Sequence, residues 1–371
     1  KPREDYRERL TNAFARAEGP DIFEYHNSWV PMFTSNLESL PAETMTEEDY
    51  VNTFYPVVVS DLTTNEGIVG IPLAIDGLVL YVNEDILAAA SMAPPHIWDE
   101  LRDTARVLTQ RAGGDLIALS GAALGNTENV DNWEEIVALM MLQNGVDLNH
   151  PSGVLAEDAL SYYSQFFKID KVWSDAFPPS TTAFANGETA MYFGTIASAA
   201  IIRELNPNLR FRVVPVPQVR KEDPDDPDLT YMTYWVQGVS SDSERRGLAW
   251  DFLKFMSEND SIGTLYSQYV NNRGVGIASP RKDMLLAQKD TPYIGSVVVL
   301  APTAKSWYMA GDTNDGETGI NSQLSDVYAN VISLVNEGAG VDKVVSSLGG
   351  EVNKVLADYG LARRLVPIVE Q

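Results

Sequence analysis

The sequence predicts an α/β protein of two domains, from its length, its composition and the order of its elements. The chain has 371 residues, which is long for one ordinary domain and comfortable for two. Hydrophobic residues make up 44% of it and charged residues 21%, as in folded globular proteins. Strand-like and helix-like segments alternate over the whole length, which favours mostly parallel sheets covered by helices.

The individual elements follow from the spacing of apolar residues and from the glycines and prolines that end each run. Helical spacing predicts that Leu248, Phe252, Leu253 and Met256 face inward from one helix. The segment 221–228 is acidic and contains prolines, so we expect an exposed loop there. The predicted helices are 5–17, 98–111, 132–143, 244–258, 320–335 and 341–356, and the predicted strands are 21–23, 78–82 and 211–214.

Charge and cysteine content exclude several classes of partner and site. The formal net charge is −25, so the chain repels phosphate backbones and anionic lipid surfaces, and we expect no nucleic-acid partner. The chain contains no cysteine, and its three histidines lack metal-ligand spacing, so we predict no metal and no cofactor. No apolar run approaches the roughly 18 residues of a membrane span. Residues 1–10 are too charged to form a signal peptide.

Motifs for catalysis are weak. Neither a glycine-rich phosphate loop nor a G-x-S-x-G elbow occurs. The stretch 311–317 resembles a calcium loop, but its glycine and glutamate spacing is wrong, which favours a polar turn. Glu134 and Glu135 are adjacent and diverge by about 100° on a helix, so we interpret them as a solvated face. A carboxylate pair from distant segments, as in a glycosidase, stays open.

Aromatic residues beside turns are more informative. Sugars present an apolar face of C–H groups and a rim of hydroxyls, so their sites combine flat rings with carboxylates and amides. Core packing is an equally good interpretation for any single tryptophan. The aromatic residues concerned are Trp29, Trp173, Tyr234, Trp235 and Trp307.

A resemblance to a known family emerges at residues 71–86, which read IPLAIDGLVLYVNEDI. This stretch resembles the "G-(I/V/L)-P-x-A-x-(D/E)" segment and "Y-x-N-x-D" strand end of the family 1 extracellular solute-binding proteins, the maltose-binding-protein type. Residues 94–101, PPHIWDEL, are similar to the family's "P-P-x-T-W-D-E-L" helix start. Further segments agree in the family's order: GPDIF at 19–23, FANGETAMY at 184–192, FRVVPVP at 211–217 and AWDFLKF at 249–255.

The resemblance implies a type II periplasmic-binding-protein fold, in which two doubly wound α/β lobes are joined by a three-crossing hinge with a ligand cleft between them. Lobe 1 is then expected to comprise residues 1–75 and 239–302. Lobe 2 is expected to comprise 78–234 and 305–371. The predicted crossings lie near 75–77, 234–239 and 301–307.

The family pattern also implies site residues. Ser28 and Trp29 follow the "P-D-I" strand, where the family presents polar and aromatic groups. Asp76 matches the acidic hinge position, where it either accepts ligand hydroxyls or caps a backbone N–H. Tyr234 and Trp235 lie at the second crossing and Trp307 lies near the third. Together with Trp173, these form the predicted ligand-binding set.

Two departures from the family pattern bear on these expectations. Many relatives carry a sugar-stacking tryptophan after the "A-M" strand, whereas residues 194–198 here read GTIAS. The family also begins with a strand and helix that have no counterpart before residue 5, and we expect them upstream of this chain. Without that strand, a gap is predicted between the strands at Asp21 and Ile71.

The resemblance implies a monomeric binding subunit of an ABC importer that captures a sugar and passes it to a membrane permease without catalysis. We expect it outside the cytoplasm, tethered to the membrane through a segment beyond this chain. Polyamine, iron and glycerol-phosphate ligands remain alternatives, and the acidic surface mildly favours a cation. A carboxylate-pair glycoside hydrolase and a ligand-free surface scaffold are alternatives from other classes.

Overall fold

The computed structural model describes residues 5–114, 116–221, 223 and 225–362. The outermost parts of both predicted lobes, 1–4 and 363–371, lie outside the described residues, as do two positions of the predicted loop 221–228. Within the described part, the protein is mixed α/β. The helices are α1 Tyr6–Ala15, α2 Val30–Phe33, α3 Glu47–Thr53, α4 Pro56–Leu62, α5 Glu84–Ala89, α6 Trp98–Leu108, α7 Trp133–Gln143, α8 Gly153–Lys168, α9 Ser180–Ala185, α10 Ser198–Leu205, α11 Arg246–Met256, α12 Asn259–Arg273, α13 Leu285–Gln288, α14 Gly295–Val298, α15 Ile320–Glu337 and α16 Val341–Asp358.

The strands are short, and every hydrogen-bonded pair among them in the described chain is antiparallel. The prediction of mostly parallel sheets is therefore wrong for these strands, since parallel contacts occur here as single bridges. An antiparallel neighbour needs no helical crossover to reach its partner. The strands are β1 Ile22–His26, β2 Thr63–Thr64, β3 Gly67–Ile68, β4 Asp76–Gly77, β5 Val79–Asn83, β6 Gln110–Gly113, β7 Leu116–Leu119, β8 Met191–Gly194, β9 Phe211–Val214, β10 Met232–Thr233 and β11 Trp235–Val239.

β11 coincides with the segment predicted as the second crossing, 234–239, and it lies between two segments of the predicted first lobe. It pairs with β1 over its full length, with Glu24 opposite Gln237. On its other side, Ile71 forms an antiparallel bridge to Gln237 and donates its N–H to the Gln237 carbonyl at 2.9 Å. The gap expected between the strands at Asp21 and Ile71 is absent, because β11 occupies that position.

In the predicted second lobe, β5 lies between β8 and β9. All five of its residues, VLYVN, are buried, which is why this segment reads as an uninterrupted apolar run. Asn83 ends the strand and caps α5, since its side-chain oxygen accepts the N–H groups of Asp85 and Ile86 at 3.1 Å each. The sequence therefore fixes both the strand and the turn into the next helix.

Segments at or beside the three predicted crossings lie next to one another. β4 pairs with β10, with Thr233 opposite Asp76. Met232 donates its N–H to the carbonyl of Lys305 at 2.8 Å, which ties the second crossing to the third. A β-carbon on Gly77 would lie 3.0 Å from the Tyr231 carbonyl, so the absence of a side chain there permits this close backbone approach.

Helix α11 corrects one prediction about orientation. Its buried residues are Ala249, Trp250 and Leu253. Leu248 and Phe252, which were predicted to face inward, are 69% and 51% exposed. The spacing of apolar residues identified the helix correctly. It did not identify which side of the helix packs against the sheet. None of the helices in the described ranges combines the length and apolar character that crossing a bilayer requires.

Candidate ligand-binding site

A cleft beside the crossings consists of two adjoining cavities that share Ala197 and Asp312 as lining residues. The first, named here the acidic cavity, has a volume of about 570 Å³ and is lined by residues 127–134, the start of α10 and Gly311–Asp312. The second, the crossing cavity, has a volume of about 250 Å³ and is lined by β4, β10, Trp235 and the segment after α12. Because strand ends and helix starts converge here, polar backbone and side-chain groups face one space.

Asp76 lines the crossing cavity, and its carboxylate accepts hydrogen bonds from three backbone N–H groups, one of them from Ala197, which lines both cavities. One oxygen accepts the N–H groups of Gly77 and Ile196, each at 2.7 Å, and the other accepts that of Ala197 at 3.1 Å. Burial raises the pKa of Asp76 to about 7, against the lowering effect of these hydrogen bonds. The carboxylate thus joins the first crossing to the turn after β8, which matches the capping alternative. Contact with a ligand hydroxyl stays a prediction.

Trp235 lines the crossing cavity and is half-buried. Its ring packs edge-to-face against Trp29, with 5.2 Å between the ring centroids. Trp29 itself is fully buried and stacks on Tyr6 and Phe33 in an aromatic cluster. In this structure, Trp29 therefore supports Trp235 from behind, and its own ring faces the core.

Tyr234 and Asp61 connect the crossing cavity with a separate hollow of about 670 Å³, named here the far cavity, which Ser28, Asp61 and Trp307 line. The Tyr234 hydroxyl donates to Asp61 at 2.7 Å. Ser28 accepts a hydrogen bond from Asn321 at 2.8 Å. The predicted site residues are thus divided, with Asp76, Tyr234 and Trp235 at the crossing cavity and Ser28 and Trp307 at the far cavity.

Trp173 lies in the interior of the predicted second lobe. Its ring stacks on Phe177 with 4.8 Å between centroids, and its Nε1 donates to the side-chain oxygen of Asn129 at 2.7 Å. Asn129 lines the acidic cavity. Trp173 therefore holds a cavity-lining amide in place from below, and its role as a direct ligand contact stays a prediction.

The interpretation of Glu134 and Glu135 as a solvated helix face is wrong, because the structure turns both side chains inward. Glu135 is fully buried, and one of its oxygens accepts the N–H of Gly311 at 2.7 Å. A β-carbon on Gly311 would lie 2.9 Å from a Glu134 oxygen and 3.4 Å from the other oxygen of Glu135, so both carboxyl groups approach this glycine. Burial raises the pKa of Glu134 to about 7, and burial and Glu134 together raise that of Glu135 well above its usual value.

Asp312 is a further residue of the site that sequence reasoning missed. It lies in the stretch 311–317, which forms the predicted polar turn. The Thr233 hydroxyl donates to it at 3.1 Å, and the buried His26 lies 3.6 Å away. Further along the turn, Asp315 accepts the N–H groups of Asn321 and Ser322 at the start of α15. Among the described residues, no group of three or more acidic or histidine side chains is placed to hold a metal ion.

The signal for the buried glutamates was present in the sequence. Helix α7 is apolar on all sides, and every residue from Glu135 to Met141 is buried. A helix that is hydrophobic all round lies inside a protein, so acidic groups in its first turn are drawn inward as well. The sequence around Asp312 contained no comparable signal, because the same polar residues form a turn whether it faces solvent or a cleft.

Comparisons with known proteins identify the fold and the family. Solved structures that are similar to this chain include the following three. The tagatose-bound ABC transporter solute-binding protein from Thermotoga lettingae shares 20% identity, with a TM-score of 0.71 and coverage of 95% of this chain and 90% of that one. The cyclic α-maltosyl-1,6-maltose-binding protein from Arthrobacter globiformis shares 19%, with a TM-score of 0.73 and coverage of 96% and 90%. The maltotriose-bound protein from Thermus thermophilus shares 17%, with a TM-score of 0.69 and coverage of 96% and 90%.

These similarities confirm the predicted type II periplasmic-binding-protein fold. No curated protein matches the chain. The family model described as "Bacterial extracellular solute-binding protein" matches residues 1–288, well over half of the sequence. The chain therefore belongs to the bacterial extracellular solute-binding proteins.

Proposed function

We propose that this protein is the solute-binding subunit of an ABC importer and captures a carbohydrate in the cleft beside its crossings. The observation that carries the proposal is the crossing cavity itself, where the half-buried ring of Trp235 and the polar groups of Asp76 and Thr233 line one space. A flat ring beside hydrogen-bonding groups suits the apolar face and hydroxyl rim of a sugar. The similar structures from Thermotoga lettingae and Thermus thermophilus are described with bound tagatose and maltotriose, which supports this ligand class.

The proposed mechanism of capture is hinge closure. Residues 1–75 with 239–302 and residues 78–234 with 305–371 form the two proposed lobes. Asp76 and Thr233 lie on paired strands of two crossings, and Asp76 also contacts the start of the 196–198 turn. A small rotation about these strands alters the width of the cleft while the lobe interiors stay packed. The closed, ligand-bound form is what the membrane permease recognises.

The proposal includes a location and an assembly state. The protein acts outside the cytoplasm as a monomer, tethered to the membrane through a segment beyond this chain. The family is extracellular, which supports the location. The formal net charge of −25 makes copies of the chain repel one another, which favours the monomer.

Binding without chemistry is favoured over hydrolysis by the family, whose members are described as solute-binding proteins. A glycosidase needs two carboxyl groups on opposite sides of the scissile bond, about 5–10 Å apart. Glu135 is fully buried and does not line the cleft, but Asp131, Glu134 and Asp312 do. The assay for a cleaved product in the test below therefore decides whether any pair of them acts on a glycosidic bond. The ligand-free scaffold is disfavoured as well, because it requires a cleft filled by side chains.

The test is calorimetric titration and thermal unfolding of the protein with a panel of neutral and charged mono- and oligosaccharides. A ligand at about 100 times its Kd adds about 2.7 kcal/mol to the free energy of unfolding, which raises the Tm by several degrees. X-ray scattering should show a smaller radius of gyration with that ligand. No response to any sugar, or release of a cleaved product, contradicts the proposal.

A matched pair of variants locates the binding site. We expect Trp235→Phe to weaken sugar binding, because it removes the larger ring from the crossing cavity. Trp307→Phe changes the same kind of side chain in the far cavity and should leave the affinity unchanged. A loss of affinity in Trp307→Phe with none in Trp235→Phe would place the ligand in the far cavity, beside the predicted contacts Ser28 and Trp307.

A further inference from the structure

The lining of the cleft carries an unusual excess of negative charge. The acidic cavity is lined by four carboxylates and by no lysine or arginine. The crossing cavity adds two further carboxylates and one guanidinium, that of Arg273. None of the four acidic-cavity carboxylates forms a salt bridge to a lysine or arginine of the described chain. These six carboxylates are Glu24, Asp76, Glu128, Asp131, Glu134 and Asp312.

A buried polar atom without a partner lies beside Glu134 and Gly311, two residues that line the acidic cavity. One oxygen of Glu135 accepts the Gly311 N–H, but the other has no hydrogen-bond partner, although the residue is fully buried. This oxygen and one of Glu134 both lie close to the side of Gly311 where a side chain would stand. Two converging carboxyl groups, with Asp312 next in the chain to that glycine, create a strongly negative pocket.

Carboxyl groups this close together and this buried are stable only if they are protonated or if a cation lies beside them. Burial raises the pKa values of both glutamates. Repulsion from Asp131 and Asp312 adds to it for Glu134, whose pKa is about 7, and repulsion from Glu134 and Asp312 adds to it for Glu135. An unpaired buried carboxylate is costly, and an opposite charge within about 4–6 Å favours its ionised form. A ligand ammonium group would supply that charge and the missing hydrogen-bond donors.

The size of the space and the nature of its walls select the kind of cation. About 570 Å³ is far more than a single metal ion occupies, and the described residues offer no cluster with metal-ligand placement. The adjoining cavity presents the rings of Trp235 and Tyr269 together with the Gln237 amide. The first cavity therefore suits an amine, and the second suits a sugar ring.

The geometry points to a carbohydrate that carries a protonated amine, with its ammonium group among Asp131, Glu134 and Asp312. This inference rests on the proposed function, since it assumes that a sugar occupies the cleft. Asp131 is held in place because it accepts the N–H of Thr181 at 2.9 Å, and Asp312 is held by Thr233. The anionic wall is thus preorganised before a ligand arrives, which lowers the entropic cost of binding.

The experiment compares matched ligands on the unmodified protein by calorimetry near pH 7. Oligomers of glucosamine are titrated beside their N-acetylated counterparts and beside maltooligosaccharides, which are neutral. We expect the amine-bearing oligomers to bind at least about tenfold more tightly, equivalent to about 1.4 kcal/mol, and their affinity to fall with added salt. Binding should also release protons, because a nearby ammonium group lowers the pKa of Glu134.

Variants assign the preference to the acidic cavity. Glu134→Gln and Asp312→Asn keep the side-chain shape and should reduce the preference for amine-bearing oligomers several-fold, while neutral sugars bind as before. Asp103→Asn removes the same charge from an exposed position on α6 and should change neither affinity. An equal effect of all three variants would mean that overall charge, and not this cavity, sets the preference, which overturns the inference.

The outcomes separate the two proposals. If neutral sugars bind as tightly as their amine-bearing counterparts, the inference is overturned and sugar capture stands. If no sugar binds, whether neutral or amine-bearing, the proposed function is overturned and the inference with it. If spermidine binds and no sugar does, the cleft is a polyamine site, and both the sugar assignment and this inference are overturned.

Discussion

At the scale of single residues, Asp61 connects parts of the chain that are far apart in sequence. Its carboxylate accepts hydrogen bonds from Asn27 at 3.0 Å, from the Tyr234 hydroxyl at 2.7 Å and from the Ser306 hydroxyl. Burial raises its pKa to about 6, although these three donors act to lower it. The residue therefore holds the turn after β1 and the segments predicted as the second and third crossings around one buried acid.

Removing the Asp61 side chain should destabilise the protein substantially. Asp61→Ala leaves three buried donors without an acceptor, and each unsatisfied group costs about 1–3 kcal/mol. We expect the free energy of unfolding, measured by urea denaturation, to fall by about 3 kcal/mol. Asp61→Asn keeps one acceptor oxygen and should lose less. A loss below about 0.5 kcal/mol for the alanine variant would contradict this role.

Asp76 shows how a correct alignment of residues leaves their roles undecided. The family pattern identified this position as the acidic hinge residue. The pattern could not distinguish a carboxylate that meets a ligand from one that accepts backbone N–H groups. The turn at Ile196 and Ala197 supplies those N–H groups from 120 residues further along the chain. Only the folded structure brings that turn to the hinge.

At the scale of elements, α11 separates the hydrophobic pattern of a helix from its packing. Residues 248–255, LAWDFLKF, place apolar side chains on two sides of the helix. One stripe consists of Ala249, Trp250 and Leu253 and faces the sheet. Leu248, Phe252 and Phe255 form the exposed stripe, at 69%, 51% and 57% exposure. Both stripes have helical spacing, so periodicity alone could not select the covered one.

Two alanine substitutions on α11 test this assignment. Leu253→Ala removes a side chain that is 1% exposed, and we expect a loss of about 2–5 kcal/mol in the free energy of unfolding. Leu248→Ala makes the same chemical change on the exposed stripe and should stay within about 0.5 kcal/mol of the unsubstituted protein. Denaturant titration of both variants measures the difference. Similar losses at the two positions would mean that the stripes are assigned wrongly.

At the scale of the whole molecule, the buried acids determine how stability depends on pH. The pKa values of Asp76 and Glu134 are raised to about 7 and that of Asp61 to about 6. In the unfolded chain, such groups release their protons near pH 4. Between these values the folded state holds more protons than the unfolded state, so the free energy of unfolding decreases as the pH rises.

We therefore expect the Tm to fall by several degrees between about pH 5 and about pH 8 and to change little above that range. Scanning calorimetry across this range measures the trend. Repulsion within a chain of charge −25 acts in the same direction, so a control is needed. The double variant Asp76→Asn with Glu134→Gln should flatten the curve. A Tm that is constant or rises over this interval would show that these acids are ionised in the folded protein.

The sequence by itself determined several of the elements and the family. β9 begins and ends at the predicted residues, and α15 and α16 begin where predicted. The motifs at 19–23, 71–86 and 249–255 identified the solute-binding fold. These features are local, because apolar periodicity, capping residues and short motifs act within a few turns of chain.

Only the tertiary structure decided which side chains share a space. It placed β11 between β1 and Ile71, turned Trp29 into the core behind Trp235, and brought Asp312 to Glu134 and Glu135. Each of these outcomes depends on contacts between segments more than 100 residues apart, and a local pattern carries no information about what will cover it. The physical reason is that burial and electrostatic environment belong to the packed molecule, whereas periodicity belongs to each element separately.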